Sequence, residues 1–211
     1  MSGPSGACPN CGAPIRFRWS SAVQTTCESC RSVVVRHDVN LEVRGEVSDI
    51  PLDSSPIQIG ATGRLDNQPF TVVGRIAYEY ANGGWNEWHL AFGDGSSGWL
   101  SDAQLDYTAT RLVRPTQPVP PAHGVRVGEY YTWGDRRLIV TTLTRARYVG
   151  VEGELPFEYW GKDEVLFVDL AGHAGEFATF DFSDTTPLLF VGRHVTFDEI
   201  ALANVRVFDG W

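Results

Sequence analysis

The sequence predicts an all-β protein, and three observations carry that reading. Apolar residues recur with a period of two in short runs rich in β-branched and aromatic side chains. Twenty-two glycines and 12 prolines punctuate a chain of 211 residues, and convincing helix signals are nearly absent. Four cysteines, all within the first thirty residues, have the spacing of a small metal-bound ribbon. The expected architecture is a zinc ribbon over residues 1–45, followed by two small antiparallel β-barrel, SH3-like modules over 56–114 and 122–211 that pack together.

The N-terminal block comes first. Cys8 and Cys11 with Cys27 and Cys30 form C-x2-C-x15-C-x2-C. Two cysteines three apart can turn both sulfurs toward one ion about 2.3 Å away, and two such turns complete a tetrahedron. Gly12 follows the first pair, where a tight turn favours a residue tolerant of positive φ. Between the pairs residues 15–19 alternate, 23–26 are expected to return antiparallel to them, and 33–35 offer a third strand. Some forty residues bury too little apolar surface alone, so the ion is expected to contribute on the order of 10 kcal/mol to folding. Four protein ligands leave no open position, which makes one structural zinc ion the predicted cofactor. Two disulfides, or a redox C-x-x-C, are the alternatives. The N-terminus lacks the basic start and apolar stretch of a signal peptide, which argues against the first and for a cytoplasmic protein. No βαβ pattern surrounds the cysteines, which argues against the second.

Charge separates this block from the rest. Five arginines (Arg16, Arg18, Arg31, Arg36, Arg44) face three acids, a net of +2, whereas the remaining residues carry −11 of the total −9. That acidic balance disfavours nonspecific nucleic-acid binding, and no run approaches the eighteen apolar residues of a membrane-spanning helix. Residues 45–56, polar with two prolines, read as a linker. Strands are expected at 70–78 and 87–92. Four prolines within 115–121 then impose an extended break. Further strands are expected at 138–144, 165–170 and 177–182, and the best helix candidates, 101–105 and 197–203, are at most two turns. Residues 70–78 are echoed by 138–148, and 90–100 by 168–178, which points to two related β modules. The C-terminal residues 204–211 end in an apolar side chain expected to dock on the second module.

Few residues look reactive. Trp85, Trp88 and Trp99 cluster with Phe92, and alternation puts Trp88, Leu90 and Phe92 on one core-facing stripe, leaving Glu87 and His89 to face solvent or a partner. Residues 93–98 resemble a phosphate loop but lack the following lysine and helix, so a hairpin turn is expected. Asp169, His173 and Glu176 surround one expected turn, and His194 lies near Asp198 and Glu199. Proximity in sequence is not convergence, so no catalytic residue is assigned. The acids Glu152, Glu154, Glu158, Asp163 and Glu164 read as a solvated loop or a contact for a cation or basic partner.

Residues 57–207 resemble the bacterial family catalogued as domain of unknown function 4178. The resemblance rests on FTVVGRIAY at 70–78, on Trp85, Glu87, Trp88 and Leu90, and on Asp94-Gly95 with Trp99-Leu100. Gly153-Glu154-Leu155-Pro156, Asp169-Leu170, Phe177-Ala178-Thr179, Pro187 and Gly192 complete it. It implies a cytoplasmic or membrane-peripheral protein with no catalytic residues to carry over, accessory to a bacterial membrane-stress complex. The expected function is therefore a non-enzymatic protein-interaction or scaffold module with an unidentified protein partner. Nucleic-acid binding through the ribbon arginines, with Trp85, Trp88 and Trp99 stacking bases, is the first alternative. An enzyme acting on a cationic, polyamine-like substrate, favoured by the acidic body, is the second.

Overall fold

A computed structural model describes residues 5–38, 40–46, 55–158 and 164–208, whose regular structure is almost all strand. In the N-terminal part β1 (Ser5–Ala7) pairs with β2 (Pro14–Arg16), and β3 (Gln24–Thr26), β4 (Ser32–His37) and β5 (Asn40–Glu46) form a second, three-stranded sheet. The return of 23–26 onto 15–19 does not occur. Each cysteine pair instead sits in the turn of its own hairpin, β1–β2 or β3–β4, so each strand pairs with its nearest neighbour. Most of the expected linker, residues 47–54, lies outside the described residues.

The two following blocks each fold as a five-stranded antiparallel meander. The first comprises β6 (Thr62–Leu65), β7 (Gln68–Tyr80), β8 (Gly83–Phe92), β9 (Ser97–Ala103) and β10 (Asp106–Val113). The second comprises β11 (Tyr130–Trp133), β12 (Arg136–Gly153), β13 (Val165–Ala171), β14 (Glu176–Asp181) and β15 (Leu188–Val195). The meanders do not close separately, as the expectation of two barrel modules had it. They share one ten-stranded sheet in which β10 pairs with β15 and β7 pairs with β12. The cause is the length of β7 and β12. Gln68 to Thr71 pair with β6, while Gly74 to Glu79 have moved on to β12. The result is a closed eight-stranded barrel, with β6 and β11 as flaps.

Both echoes fall on equivalent elements, β7 with β12 and the hairpin β8–β9 with β13–β14, and both seams join like strand to like. The helix expected at 101–105 is the end of β9 and a tight turn, because Gln104 and Leu105 adopt positive φ of 56° and 73°. The other candidate begins as α1 (Phe197–Ile200), where Thr196 and Glu199 form a reciprocal capping box. Of residues 93–98, the first four make the β8–β9 turn and the last two open β9, with Asp94 Oδ1 accepting from the Ser96 amide at 2.9 Å. Among the described residues no helix is long and apolar enough to cross a membrane.

Each meander buries one face in its own core. Trp88, Leu90 and Phe92 pack with Phe70, Val72 and Leu100 beneath Ile57 and Ile200. Leu138, Val140, Val168, Leu170 and Phe180 form the matching cluster beneath Tyr131 of β11. Full burial of such side chains stabilises by roughly 1.5–3 kcal/mol each. The alternate face of each of the eight ring strands turns toward the barrel interior.

The N-terminal module closes one end of the barrel. Its Val23 and Gln24 amides donate to the Leu155 carbonyl at 2.9 and 3.2 Å, and Leu155 returns a bond to Gln24 at 2.9 Å. Glu154, beside it, accepts from the Arg18 and Trp19 amides at 2.6 and 2.8 Å. Trp19 donates to the Gly95 carbonyl at 3.0 Å and meets the His89 ring edge-on at 4.9 Å.

The β10–β15 seam requires a residue without a side chain at Gly192, where a Cβ would lie 1.8 Å from the Ala109 carbonyl oxygen. Gly192→Ala should destabilise by about 1–3 kcal/mol or more, because the backbones must part. Gly93→Ala, in open space, is the control and should be near neutral. Urea denaturation of both variants measures the difference.

Candidate functional site

The four cysteines converge. In the first turn the Gly12 amide donates to Cys8 O, and in the second the Arg31 amide donates to Cys27 O, both at 2.8 Å. Gly12 has the positive φ its position predicts, 76°. Cys8 and Cys30 sulfurs are 3.7 Å apart, Cys11 and Cys27 sulfurs 3.8 Å, and all four lie within 4.8 Å of one another. Thiolates arranged tetrahedrally at about 2.3 Å from a central ion would be about 3.8 Å apart. Disulfides need about 2 Å, and all four cysteines are free. The residues therefore fit a thiophilic divalent ion. Burial pushes the Cys27 thiol up to about 11, while the Ser32 hydroxyl and amide hold Cys30 down at about 6. Asn10 donates to Ser32 Oγ at 2.9 Å, bracing that corner.

The barrel lumen is the second centre. All eight ring strands line a cavity of about 400 Å³. Depth follows the strands. On β8, His89 is fully buried and Glu87 and Trp85 are half-buried, while on β9 the order from the closed end is Trp99, Ser101 and exposed Ala103. The lumen opens away from the N-terminal module, where Tyr80, Ala103 and Asp106 are exposed.

One wall is aromatic. Tyr78 stacks on Trp85 at 5.0 Å, and Phe167 meets both edge-on at 5.1 and 5.4 Å. The other carries hydroxyls from Ser101, Thr108, Thr110 and Thr179. Glu87, Asp106, Asp169 and Asp181 supply carboxyls, His194 an imidazole, and among the described residues no arginine or lysine lines the cavity. Glu87 accepts from the Trp85 indole at 2.9 Å. The surface it exposes faces the lumen and not bulk water, so burial pushes its carboxyl up to about 8. Nearby Asp169 and Asp181 raise it further, against the hydrogen bonds of Trp85 and Ser101. Burial also raises Asp169, offset by the Thr179 hydroxyl and the charge of His194. His194 Nδ1 lies 3.1 Å from Thr108 Oγ1. Burial lowers His89 to about 4, although its Nδ1 meets the Glu154 carbonyl at 2.9 Å.

The two sequence-adjacent sets do not assemble. His173 sits exposed in the β13–β14 turn and Glu176 pairs with Arg136 at 3.5 Å, while Glu199 caps α1 and meets Arg193 at 3.2 Å. One member of each set, Asp169 and His194, meets in the lumen instead, brought there by β14, which lies between their strands. Glu87 faces this interior rather than outside solvent, because the face opposite the Trp88 stripe closes on itself, and His89 on the same face is buried between Trp19 and Trp99. The acidic run is dispersed. Glu154 is buried under the N-terminal module, Glu152 pairs with Arg75 at 3.3 Å, Glu158 with Arg44 and Glu164 with Arg145, and Asp163 lies outside the described residues. Arg16, Arg18 and Arg31 border a cleft between the module and the barrel, whereas Arg36 lies over the Phe17 ring. Trp88 is inside the first core and Trp99 sits between His89 and Phe157, leaving neither to stack a base. Residues 204–208 run back along the first meander, where Arg206 N donates to Pro56 O at 2.7 Å, not along the second; Trp211 lies outside the described residues.

Residues 58–197 match the family described as Domain of unknown function (DUF4178). No curated protein and no solved structure matches the chain.

Glu87 makes stability depend on pH. In the fold it keeps a proton that the unfolded chain releases above about 4.5, so its contribution is complete in acid and lost as pH rises toward about 8. Asp169 and Glu154, both raised, act with the same sign. Glu87→Gln should therefore lose less stability than the wild type between about pH 5 and about pH 8. Urea midpoints across that range measure the difference, to which the unaltered groups contribute equally in both proteins.

Proposed function

The chain belongs to the DUF4178 family of domains of unknown function, and from that premise we propose that it is a non-enzymatic binding module whose barrel lumen receives a small molecule and whose N-terminal cysteines hold one structural zinc ion. One observation carries the ligand reading: all eight strands of the ring direct side chains into a cavity of about 400 Å³. That volume lies in the range of small-molecule sites, about 300–1,000 Å³. It combines apolar walls with a few polar groups that would fix orientation. Trp88 and Trp99 are buried and Trp85 lines the lumen, which favours a small ligand over a broad interface.

Zinc is favoured by four sulfur ligands, by their separations and by the smallness of the module. Cys8, Cys11, Cys27 and Cys30 fill four positions and leave none for substrate, so the ion acts as a fastener. Elemental analysis should find one zinc per chain. Chelation, or Cys8→Ser with Cys11→Ser, should lower the unfolding midpoint and release the Trp19 indole from Gly95. Metal well below one equivalent, with folding indifferent to chelator, rejects the zinc reading.

The lumen is tested by fragment binding followed through the Trp85 indole N–H resonance. Thr110→Phe, which fills the deep end, should abolish binding by any fragment that shifts it. A library of mixed charge that leaves the resonance unmoved rejects the binding function.

A second reading, catalysis in the same lumen, is favoured by the 3.1 Å approach of Thr108 to His194 with Asp169 facing the imidazole. Turnover of a bound fragment, lost in His194→Ala with binding retained, would select it.

A further inference from the structure

The register of the ring strands narrows the ligand to one class. This inference rests on the lumen being a ligand site and adds what that ligand is. On four neighbouring strands Glu87 stands opposite Ser101, Ser101 opposite Thr108, and Thr108 opposite His194. All four line the lumen, so they form one polar belt that runs from Glu87 inside the cavity to exposed His194. Rings flank the belt. Two residues inward on β9 is Trp99, and two outward on β8 is Trp85, which lies opposite Tyr78 and stacks on it at 5.0 Å. The belt is bonded along its own length: Ser101 bonds to Glu87, and Thr108 Oγ1 lies 3.1 Å from His194 Nδ1. Whichever member of the second pair donates, the Thr108 oxygen keeps a lone pair for a further partner, and a hydroxyl, donor and acceptor at once, suits either arrangement. The acids are compensated where they stand. Thr179 and His194 offset the burial that raises Asp169, Asp181 accepts from the Ser183 amide at 2.7 Å, and Glu87, pushed up to about 8 chiefly by burial, keeps its proton at neutral pH. A charged ligand would lose its hydration among rings and hydroxyls at a cost that a neutral one does not bear.

We propose that the lumen binds an uncharged ring compound bearing a hydroxyl, with the ring against Tyr78 and Trp85 and the hydroxyl on the belt of Glu87, Ser101, Thr108 and His194. Aromatic rings pair favourably face to face or edge to face, so the indole and phenol rings hold the apolar body. The belt selects the polar group, because a site built to hydrogen-bond a hydroxyl rejects the analogue that leaves its own groups unpaired. The exposed end, bordered by Tyr80 and Asp106, gives the ligand its way in.

Four probes of similar shape test this on the full-length, zinc-loaded protein at neutral pH: p-cresol, its hydroxyl-free isostere p-xylene, the anion p-toluate and the cation p-methylbenzylammonium. The Trp85 indole N–H resonance, identified by its loss in Trp85→Phe, reports occupancy. A purely apolar cavity would prefer p-xylene, which gives up no hydrogen bond to water on entry. The belt should reverse that order, with p-cresol binding about threefold or more tighter than p-xylene and tighter than either ion. Thr108→Val, close in shape but without the hydroxyl, should swing the ratio about tenfold toward p-xylene, equivalent to about 1.4 kcal/mol. A smaller lead for p-cresol, or either ion as tight, overturns the ligand class and leaves the lumen site standing. A ratio that Thr108→Val leaves unmoved overturns the belt's part in recognition. Silence of Trp85 toward all four overturns the class and the site together. The comparison of probes on the wild type needs no variant, so it survives a failure of Thr108→Val to fold.

Discussion

The pairing of β7 with β12 is the constraint on which the rest of the molecule depends. It converts a ten-stranded sheet into a ring, and without it two long strands would expose unpaired backbone along half their length. Side chains fix its register. Arg147 stands opposite Glu79 and bonds to it, Arg75 opposite Glu152, and Tyr148 opposite Tyr78. The Arg147 pair is exposed and adds little free energy, so its effect lies in opposing slippage. A shift of one residue would turn Ile76 and Tyr78 away from the lumen. Arg75 is different. It is buried, bonded to Asn86 at 2.8 Å and seated over the Trp88 ring, and thus ties the seam to the first core.

The same seam delivers the N-terminal module. As β12 leaves it, Gly153 and Glu154 pass so close to β7 that a Cβ on Gly74 would lie 2.0 Å from the Glu154 carbonyl oxygen. Glu154 then presents its carboxylate to two amides of the module, and Leu155 completes a backbone bridge to Gln24. A continuous set of ring contacts runs from there inward, from Trp19 to His89 and from His89 to Trp99 in the lumen wall. On the module's side, Trp19 shares a cluster with Cys8, Cys27, Phe17 and Val34, to which β7 adds Val73. The cysteine centre therefore supports the surface that seals the barrel's inner end.

Much of this was legible in the sequence, for reasons that also explain what was not. Period-two alternation located β7, β8, β12, β13 and β14 and put Trp88, Leu90 and Phe92 in a core, because local pleat geometry is set by neighbouring residues. The cysteine spacing found its cluster because two short turns leave the sulfurs little choice of direction. Closure of the ring was not legible. It depends on Gly74 meeting Glu154 and on Ala109 meeting Gly192, contacts between residues about eighty apart whose signal is a glycine among many. Asp169 and His194 fell into separate groups for the same reason: sequence distance hides a neighbour two strands away. Glu154 looked like part of a solvated run, and nothing local distinguishes an acid that caps a distant turn from one that faces water.

Closed eight-stranded barrels are ordinarily filled by apolar side chains that serve as their core. Here that duty lies elsewhere. The first meander buries its other face beneath β6, Ile57 and Ile200, and the second buries its own beneath β11 and Val125. With two cores outside the ring, the interior is released from close packing and can hold Glu87, Asp169 and Asp181 beside a file of hydroxyls. Apolar residues at those positions would pack more stably, since carboxyls are costly to desolvate. The barrel is held by its seams and outer cores at the expense of its interior, and acids kept where they weaken the fold are the signature of a site shaped for something other than stability.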